Sequence, residues 1–146
     1  MLAKALLAFL ALPGTVAFLV PVLLAPRGGT PNLFGLLPMS LGVAMLLPCV
    51  RDFYVAGKGT LAPWAPPRHL VTIGLYRYSR NPMYVAVSTI LLSWAVLFRS
   101  PALLLYASCV LLAFHLRVIF AEEPWLARQF GEEWDRYRAA VPRWLI

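Results

Sequence analysis

Four apolar stretches fill most of the chain, and they limit its possible folds more than any other feature. They run from about Leu2 to Ala25, Leu33 to Val50, Met83 to Phe98 and Ala102 to Phe120. A transmembrane helix needs roughly 17–25 mostly apolar residues, so the third stretch is short and would need a tilt or a tight hairpin. We predict an all-α, polytopic integral membrane protein with about four transmembrane helices.

The composition excludes an ordinary soluble domain. Of the 146 residues, 61% are hydrophobic and 13% are charged, whereas a soluble domain carries roughly 25% charged residues. The length suits one domain, residues 1–146. The first stretch has features of a signal peptide, but it is long enough to span, so we favour an uncleaved helix. The net charge of +7 comes from basic residues beside apolar stretches, which favours membrane lipids over nucleic acid as partners.

Basic residues are distributed unevenly between the loops. Arg27 and Arg99 are the only charged residues in the loops that follow the first and third stretches. The middle loop and the tail hold most of the others, namely Arg51, Lys58, Arg68, Arg77, Arg80, Arg128, Arg136, Arg138 and Arg143. The positive-inside rule then places both termini and the middle loop in the cytoplasm, which agrees with four spans.

The tail from Glu122 to Arg138 has the periodicity of an amphipathic helix. Its apolar residues recur at steps of three or four: Leu126, Phe130, Trp134, Tyr137 and Val141. Pro124 suits the first turn of such a helix. We predict that this helix lies at the headgroup level of the membrane, at the same face as the middle loop.

Two polar clusters adjoin the third and fourth stretches. The first runs from His69 to Tyr84, and the second begins with Glu122 and Glu123. A helical hairpin brings both clusters to the same membrane face. Arginine and histidine bind carboxylates or phosphates, glutamate binds ammonium groups or hydroxyls, and tyrosine offers an aromatic face. These residue types suit S-adenosylmethionine, but they equally suit a nicotinamide nucleotide or a phospholipid headgroup.

The clusters carry a longer pattern. The run L-V-T-x-G-x-Y-x-x-x-R-N-P-M-Y is followed by E-E-x-x-L-x-x-x-F-G-x-x-W-x-x-Y-x-x-x-V-P-R. This pair resembles the isoprenylcysteine carboxyl methyltransferase family, which is related to phospholipid N-methyltransferases. The resemblance covers a motif-bearing core of about residues 69–143. It implies a helical membrane enzyme that binds S-adenosylmethionine near the cytoplasmic face.

The resemblance also implies a set of site residues. The expected cofactor-binding residues are His69, Gly74, Tyr76, Arg80, Asn81, Pro82, Tyr84, Glu122 and Glu123. Arg80 is the candidate for catalysis or for orienting a substrate carboxylate. Asn81 departs from the histidine of the eukaryotic pattern, and asparagine does not titrate near neutral pH, so no general base is expected there. His115, an ionisable residue within the fourth stretch, is a further candidate for lining the pocket.

The leading hypothesis is methyl transfer from S-adenosylmethionine to a lipid-like or prenylated acceptor, with a carboxylate among the candidates. The sulfonium is already activated, so we expect no metal. One alternative is an NADPH-dependent membrane reductase. Another is a non-enzymatic transport or scaffold module, although its polar residues would then line several helices rather than collect at one end. The identity of the acceptor and the oligomeric state stay open at the level of sequence.

Overall fold

The computed structural model describes residues 10–28, 30–58 and 67–145. All regular structure in these three ranges is helical, as predicted. A π-helical segment, Leu10–Leu19, leads into α1, and a π-helical turn, Val118–Glu122, joins α4 to α5. The helices are α1 (Val20–Leu24), α2 (Leu36–Val55), α3 (Pro82–Phe98), α4 (Pro101–Arg117), α5 (Glu123–Phe130) and α6 (Glu132–Ala140).

Helices α2 and α3 pack antiparallel and very closely. A Cβ added to Gly42 would lie 2.6 Å from the Cγ1 of Ile90, and one added to Gly35 would lie 2.7 Å from the backbone of Leu97. Glycine at both positions lets the two backbones approach, as in many membrane-helix contacts. Ile90 is fully buried in the resulting apolar core together with Leu46 on α2. This packing fixes α3, which begins at the predicted site.

A tight turn folds α4 back against α3. Arg99 ends α3 in the left-handed conformation, with φ at 48°. Ser100 caps α4, because its hydroxyl oxygen accepts a hydrogen bond from the backbone N–H of Leu103 at 3.4 Å. Pro101 then occupies the first turn, where its missing N–H has no cost. The hairpin places the start of α3 and the end of α4 at the same end of the molecule.

The surface of the helices suits a lipid environment. Leu33–Val55 and Pro101–Phe130 are each long and apolar enough to cross a membrane, and only 22% and 17% of their most apolar windows are buried. Core helices of a soluble protein would be mostly buried. Leu37, Leu105 and Phe120 instead expose 66–75% of their surface. The helices Pro13–Leu24 and Pro82–Phe98 are apolar but shorter, so the four-span topology and the orientation of the termini stay predictions.

The tail differs from the single amphipathic helix predicted for Glu122–Arg138. Its first part, α5, continues the long helix that begins at Pro101. Gly131, with φ at 50°, then ends α5 and starts α6, since glycine adopts this conformation without steric cost. The predicted apolar face exists, but in α6 it packs against protein: Trp134, Tyr137 and Val141 are buried against Leu70, Leu126 and Phe130.

Candidate functional site

A largely buried carboxylate with two arginine partners lies where α3, α5 and the C-terminal segment, residues 141–145, meet. Glu123 Oε1 is 2.9 Å from Arg80 Nη1. Arg143 forms a two-pronged contact with the same carboxylate, Nε to Oε1 and Nη2 to Oε2, both at 2.8 Å. The side chains of Arg80 and Glu123 are only 11% and 17% exposed. Two guanidinium groups therefore converge on one carboxylate that water scarcely reaches.

The neighbouring Glu122 has its own partners. Its Oε1 accepts a hydrogen bond from Arg117 Nε at 2.8 Å and a second one from the hydroxyl of Tyr84. The Tyr84 ring packs against Phe114 with 4.4 Å between ring centroids. Glu122 thereby connects α3 to α4, and it faces a more exposed arginine than Glu123 does, because the Arg117 side chain is 53% exposed.

Arg80 keeps an unused donor. Its Cζ lies 5.3 Å from the centroid of the Trp134 ring, a cation–π geometry. Its Nε is buried and has no hydrogen-bond partner among the described residues. Burial lowers the pKa of Arg80, and the carboxylate of Glu123 opposes that change. A buried donor without a partner is costly, so an additional hydrogen-bond acceptor at this nitrogen would stabilise Arg80.

The C-terminal segment holds in place the motif loop, residues 69–81, which precedes α3. Backbone N–H of Arg80 donates to the carbonyl oxygen of Pro142 at 2.9 Å. Asn81 Nδ2 and Ser79 Oγ both donate to the carbonyl oxygen of Arg143, at 3.0 and 3.3 Å. The side chain of Asn81 therefore binds the main chain, and it brings no ionisable group to the site. Its side-chain amide and the chain end fix the conformation from which Arg80 projects.

Tyr137 provides a second attachment for the loop. Its hydroxyl donates to the carbonyl oxygen of Tyr76 at 2.7 Å, and both residues are buried. Burial raises the pKa of Tyr137 to about 12, so the phenol keeps its proton and remains a donor at neutral pH. Through this bond α6 supports the turn that carries Tyr76, and through the separate contact of Trp134 the same helix supports Arg80.

Gly74 lies in a position that excludes any other residue. Its φ is 58°, and an added Cβ would lie 2.1 Å from Oδ2 of Asp52 on α2. The left-handed conformation costs a residue with a Cβ roughly 1–2 kcal/mol. The carboxylate of Asp52 is itself buried and has little room to move. The glycine of the motif is therefore explained by local backbone geometry and by the closeness of Asp52.

We expect Gly74→Ala to destabilise the protein by about 2–3 kcal/mol, from the backbone conformation and the clash together. The measurement is SDS-induced unfolding in mixed micelles, followed by circular dichroism. In an Asp52→Ala background the clash disappears, so the same substitution should cost only about 1 kcal/mol. An equal cost in both backgrounds would show that Asp52 does not crowd Gly74.

An apolar cavity of about 290 Å³ lies between α3 and α4, beside the charged cluster. Its lining residues are Val85, Ser88, Thr89, Leu92, Leu111, Phe114, His115 and Trp144. Phe114 also packs on Tyr84, and Trp144 directly follows Arg143, so the cavity adjoins the residues around both glutamates. The His115 ring lies 6.0 Å from the Trp144 ring. The ionisable residue within the fourth stretch therefore lines this cavity.

The structure brings together some of the predicted site residues and separates others. Arg80, Tyr84, Glu122 and Glu123 form one connected region, with Asn81 and Tyr76 in its supporting shell of hydrogen bonds. Pro82 is buried in the first turn of α3. His69 is exposed, and no contact with this region joins its imidazole within the described part of the chain. Sequence reasoning did not assign Arg143, Trp134 or Arg117 to the site.

The architecture is an apolar helical hairpin with charged side chains gathered at its open end, and two of its helices are long and apolar enough to cross a membrane. The sequence pattern of the phospholipid methyltransferase family matches residues 32–133, which is more than half of the chain. The chain belongs to that family. The match confirms the resemblance seen in the two motif halves.

One relative narrows the comparison. Over 73 residues the chain is 37% identical to the protein-S-isoprenylcysteine O-methyltransferase of Schizosaccharomyces pombe. The aligned segment is 50% of this chain but only 31% of that relative, so the chain spans less than a third of its length. No solved structure matches the chain.

Proposed function

We propose that this protein transfers a methyl group from S-adenosylmethionine to a lipid-like or prenylated acceptor at the membrane, with a carboxylate among the acceptor classes. The observation that carries the proposal is Arg80, which is held against Glu123 at the open end of an apolar hairpin and whose buried Nε has no hydrogen-bond partner among the described residues. Family membership supplies the reaction class. The donor and the acceptor class are inferred from the family resemblance, and the residue chemistry is compatible with both.

The residues present fit the methyl donor. S-adenosylmethionine carries a carboxylate, an ammonium, a ribose and an adenine. Arg80 has a free donor for the carboxylate or another acceptor atom, and Glu122 offers oxygens for hydroxyls or an ammonium. The ring of Tyr84 packs on Phe114, and the buried ring of Trp134 contacts Arg80, so these rings support the polar groups rather than offer an open face. When bound, the donor supplies a methyl group already activated by the positive sulfur.

The chain's own residues then have two tasks, orientation and exclusion of water. Orientation falls to the arginines and glutamates, whose positions are fixed by the C-terminal segment and by α6. The apolar helices and the apolar side chains that line the cavity beside the cluster exclude water. A cavity of about 290 Å³ accommodates part of a hydrocarbon chain. An amphiphile lying there would hold its polar end near Glu122.

Calorimetry with the purified protein in nanodiscs tests this proposal. We expect saturable binding of S-adenosylmethionine and none of NADPH. Glu122→Ala should weaken binding by about tenfold or more, since it removes a charged hydrogen-bonding group. Asp135→Ala, which removes an exposed carboxylate paired only with Arg138, is the matched control and should leave binding unchanged.

The alternatives give different results in the same experiment. Binding of NADPH without S-adenosylmethionine would favour a membrane reductase. Binding of neither nucleotide would favour a transport or scaffold module and would overturn the proposed activity.

A further inference from the structure

A second polar group lies apart from the charged cluster. Asp52 lies on the last turn of α2, at the end that faces the motif loop, and is only 9% exposed. Its carboxylate points at Gly74, as the 2.1 Å distance from Oδ2 to the position of an added Cβ shows. Tyr76, two residues further on, is buried in the same cluster as Cys49 of α2. The carboxylate of Asp52 therefore lies next to the turn that contains Gly74 and Tyr76.

This carboxylate has no counter-ion among the described residues. No described N–H or O–H group donates a hydrogen bond to it, and no described arginine or lysine pairs with it. The adjacent Arg51 and the nearby Lys58 are both exposed. In a protein with net charge +7, a buried acid without a cation is unexpected. At a site this little exposed to solvent, a carboxylate attracts a cation more strongly than it does in bulk water.

We propose that Asp52 is the counter-ion of a positively charged ligand group that binds against the Gly74–Tyr76 turn. The glycine supports this reading, because the absence of a Cβ leaves the carboxylate and the backbone of the turn open to each other. The inference rests on the proposed function, which supplies two candidate cations. One is the sulfonium or ammonium of S-adenosylmethionine, and the other is the ammonium of an amine-bearing acceptor.

A structural role for Asp52 makes the opposite prediction about stability. If the carboxylate stabilised the fold, Asp52→Asn would destabilise the ligand-free protein. If the carboxylate instead serves to bind a cation, its charge has no partner among the described residues of the ligand-free protein. Removing the charge should then leave that protein equally stable or more stable. Asparagine has nearly the shape of aspartate, so the substitution changes the charge with little change in packing.

The experiment measures ligand binding and ligand-free stability for the wild type, Asp52→Asn and Asp52→Glu in nanodiscs. We expect Asp52→Asn to weaken binding of the cation by about tenfold or more, whereas Asp52→Glu, which keeps the charge, retains part of the affinity. Asp135→Asn is the control for net charge, because that carboxylate is 59% exposed and pairs with Arg138. The unfolding temperature of ligand-free Asp52→Asn should equal or exceed that of the wild type.

The choice of probe identifies the cation. S-adenosylhomocysteine has an uncharged sulfur. If Asp52→Asn weakens binding of S-adenosylmethionine but not of S-adenosylhomocysteine, Asp52 pairs with the sulfonium. If it weakens binding of both equally, Asp52 pairs with the ammonium. Unchanged nucleotide binding with lost stabilisation by phosphatidylethanolamine, relative to phosphatidylglycerol, assigns it to an acceptor amine. Unchanged binding of all probes, or a lower unfolding temperature of the ligand-free variant, overturns the inference. Failure of the wild type to bind S-adenosylmethionine would instead count against the proposed function.

Discussion

Arg80→Lys is expected to lower the rate of methyl transfer at least about 100-fold while leaving the fold intact. Losses of this size follow when one positioned charged donor is removed from an active site. Lysine keeps the positive charge beside Glu123, so the buried carboxylate is not left unpaired. It lacks the planar group that lies over Trp134 and the Nε that is free to bind a ligand. The loss should therefore appear in turnover rather than in stability.

The measurement is transfer of radiolabelled methyl from S-adenosylmethionine into membrane lipids or a prenylcysteine analogue. Arg128→Lys is the matched control, because Arg128 is exposed and forms no ion pair within the described part of the chain. Its rate should equal that of the wild type. If Arg80→Lys retains a rate within about threefold of the wild type, its guanidinium geometry is unimportant, and the residue serves only as an interfacial anchor.

The convergence of Arg80 with Glu123 was predictable from sequence because it follows from chain length and direction. Two apolar stretches joined by a short turn form a hairpin, and the residues just outside it must lie at the same end. The identity of the partners was less accessible. Glu122 and Glu123 are adjacent, so their side chains leave a helix roughly 100° apart, and the π-helical turn Val118–Glu122 alters that direction further. No sequence periodicity reveals a π-helical turn.

The missed residues share a different cause, which is dependence on tertiary contacts. Arg143 reaches Glu123 only because the tail folds back onto the start of α5, and its position in sequence gives no sign of that contact. The break at Gly131 was missed because the apolar periodicity continues across the glycine from Phe130 to Trp134. Asp52 was missed because the second apolar stretch was taken to end at Val50, which placed Asp52 beyond the end of the predicted helix. The structure extends that helix to Val55 and buries the carboxylate.

Glu123→Gln should destabilise the protein by about 2–4 kcal/mol, whereas Glu122→Gln should cost only about 0–1 kcal/mol. The two residues are neighbours of the same type, so the comparison isolates the environment. Glutamine at position 123 would leave Arg80, which is 11% exposed, and Arg143 facing each other without an anion between them. Glu122 pairs with Arg117, which is 53% exposed and which water can solvate when the charge is removed. Glutamine at position 122 can still accept the hydrogen bond from the hydroxyl of Tyr84.

Unfolding in mixed micelles, followed by circular dichroism, gives the two free energies. A double substitution, Glu123→Gln with Arg143→Gln, should recover part of the stability lost by Glu123→Gln alone, because it removes one of the two stranded positive charges. Equal and small losses for the two single variants would show that water solvates Arg80 in the absence of Glu123. The buried guanidinium would then need no anion, and the argument that its free Nε marks a ligand contact would fail. A large loss at position 123 alone ties the stability of the fold to the same charged cluster that we propose for binding.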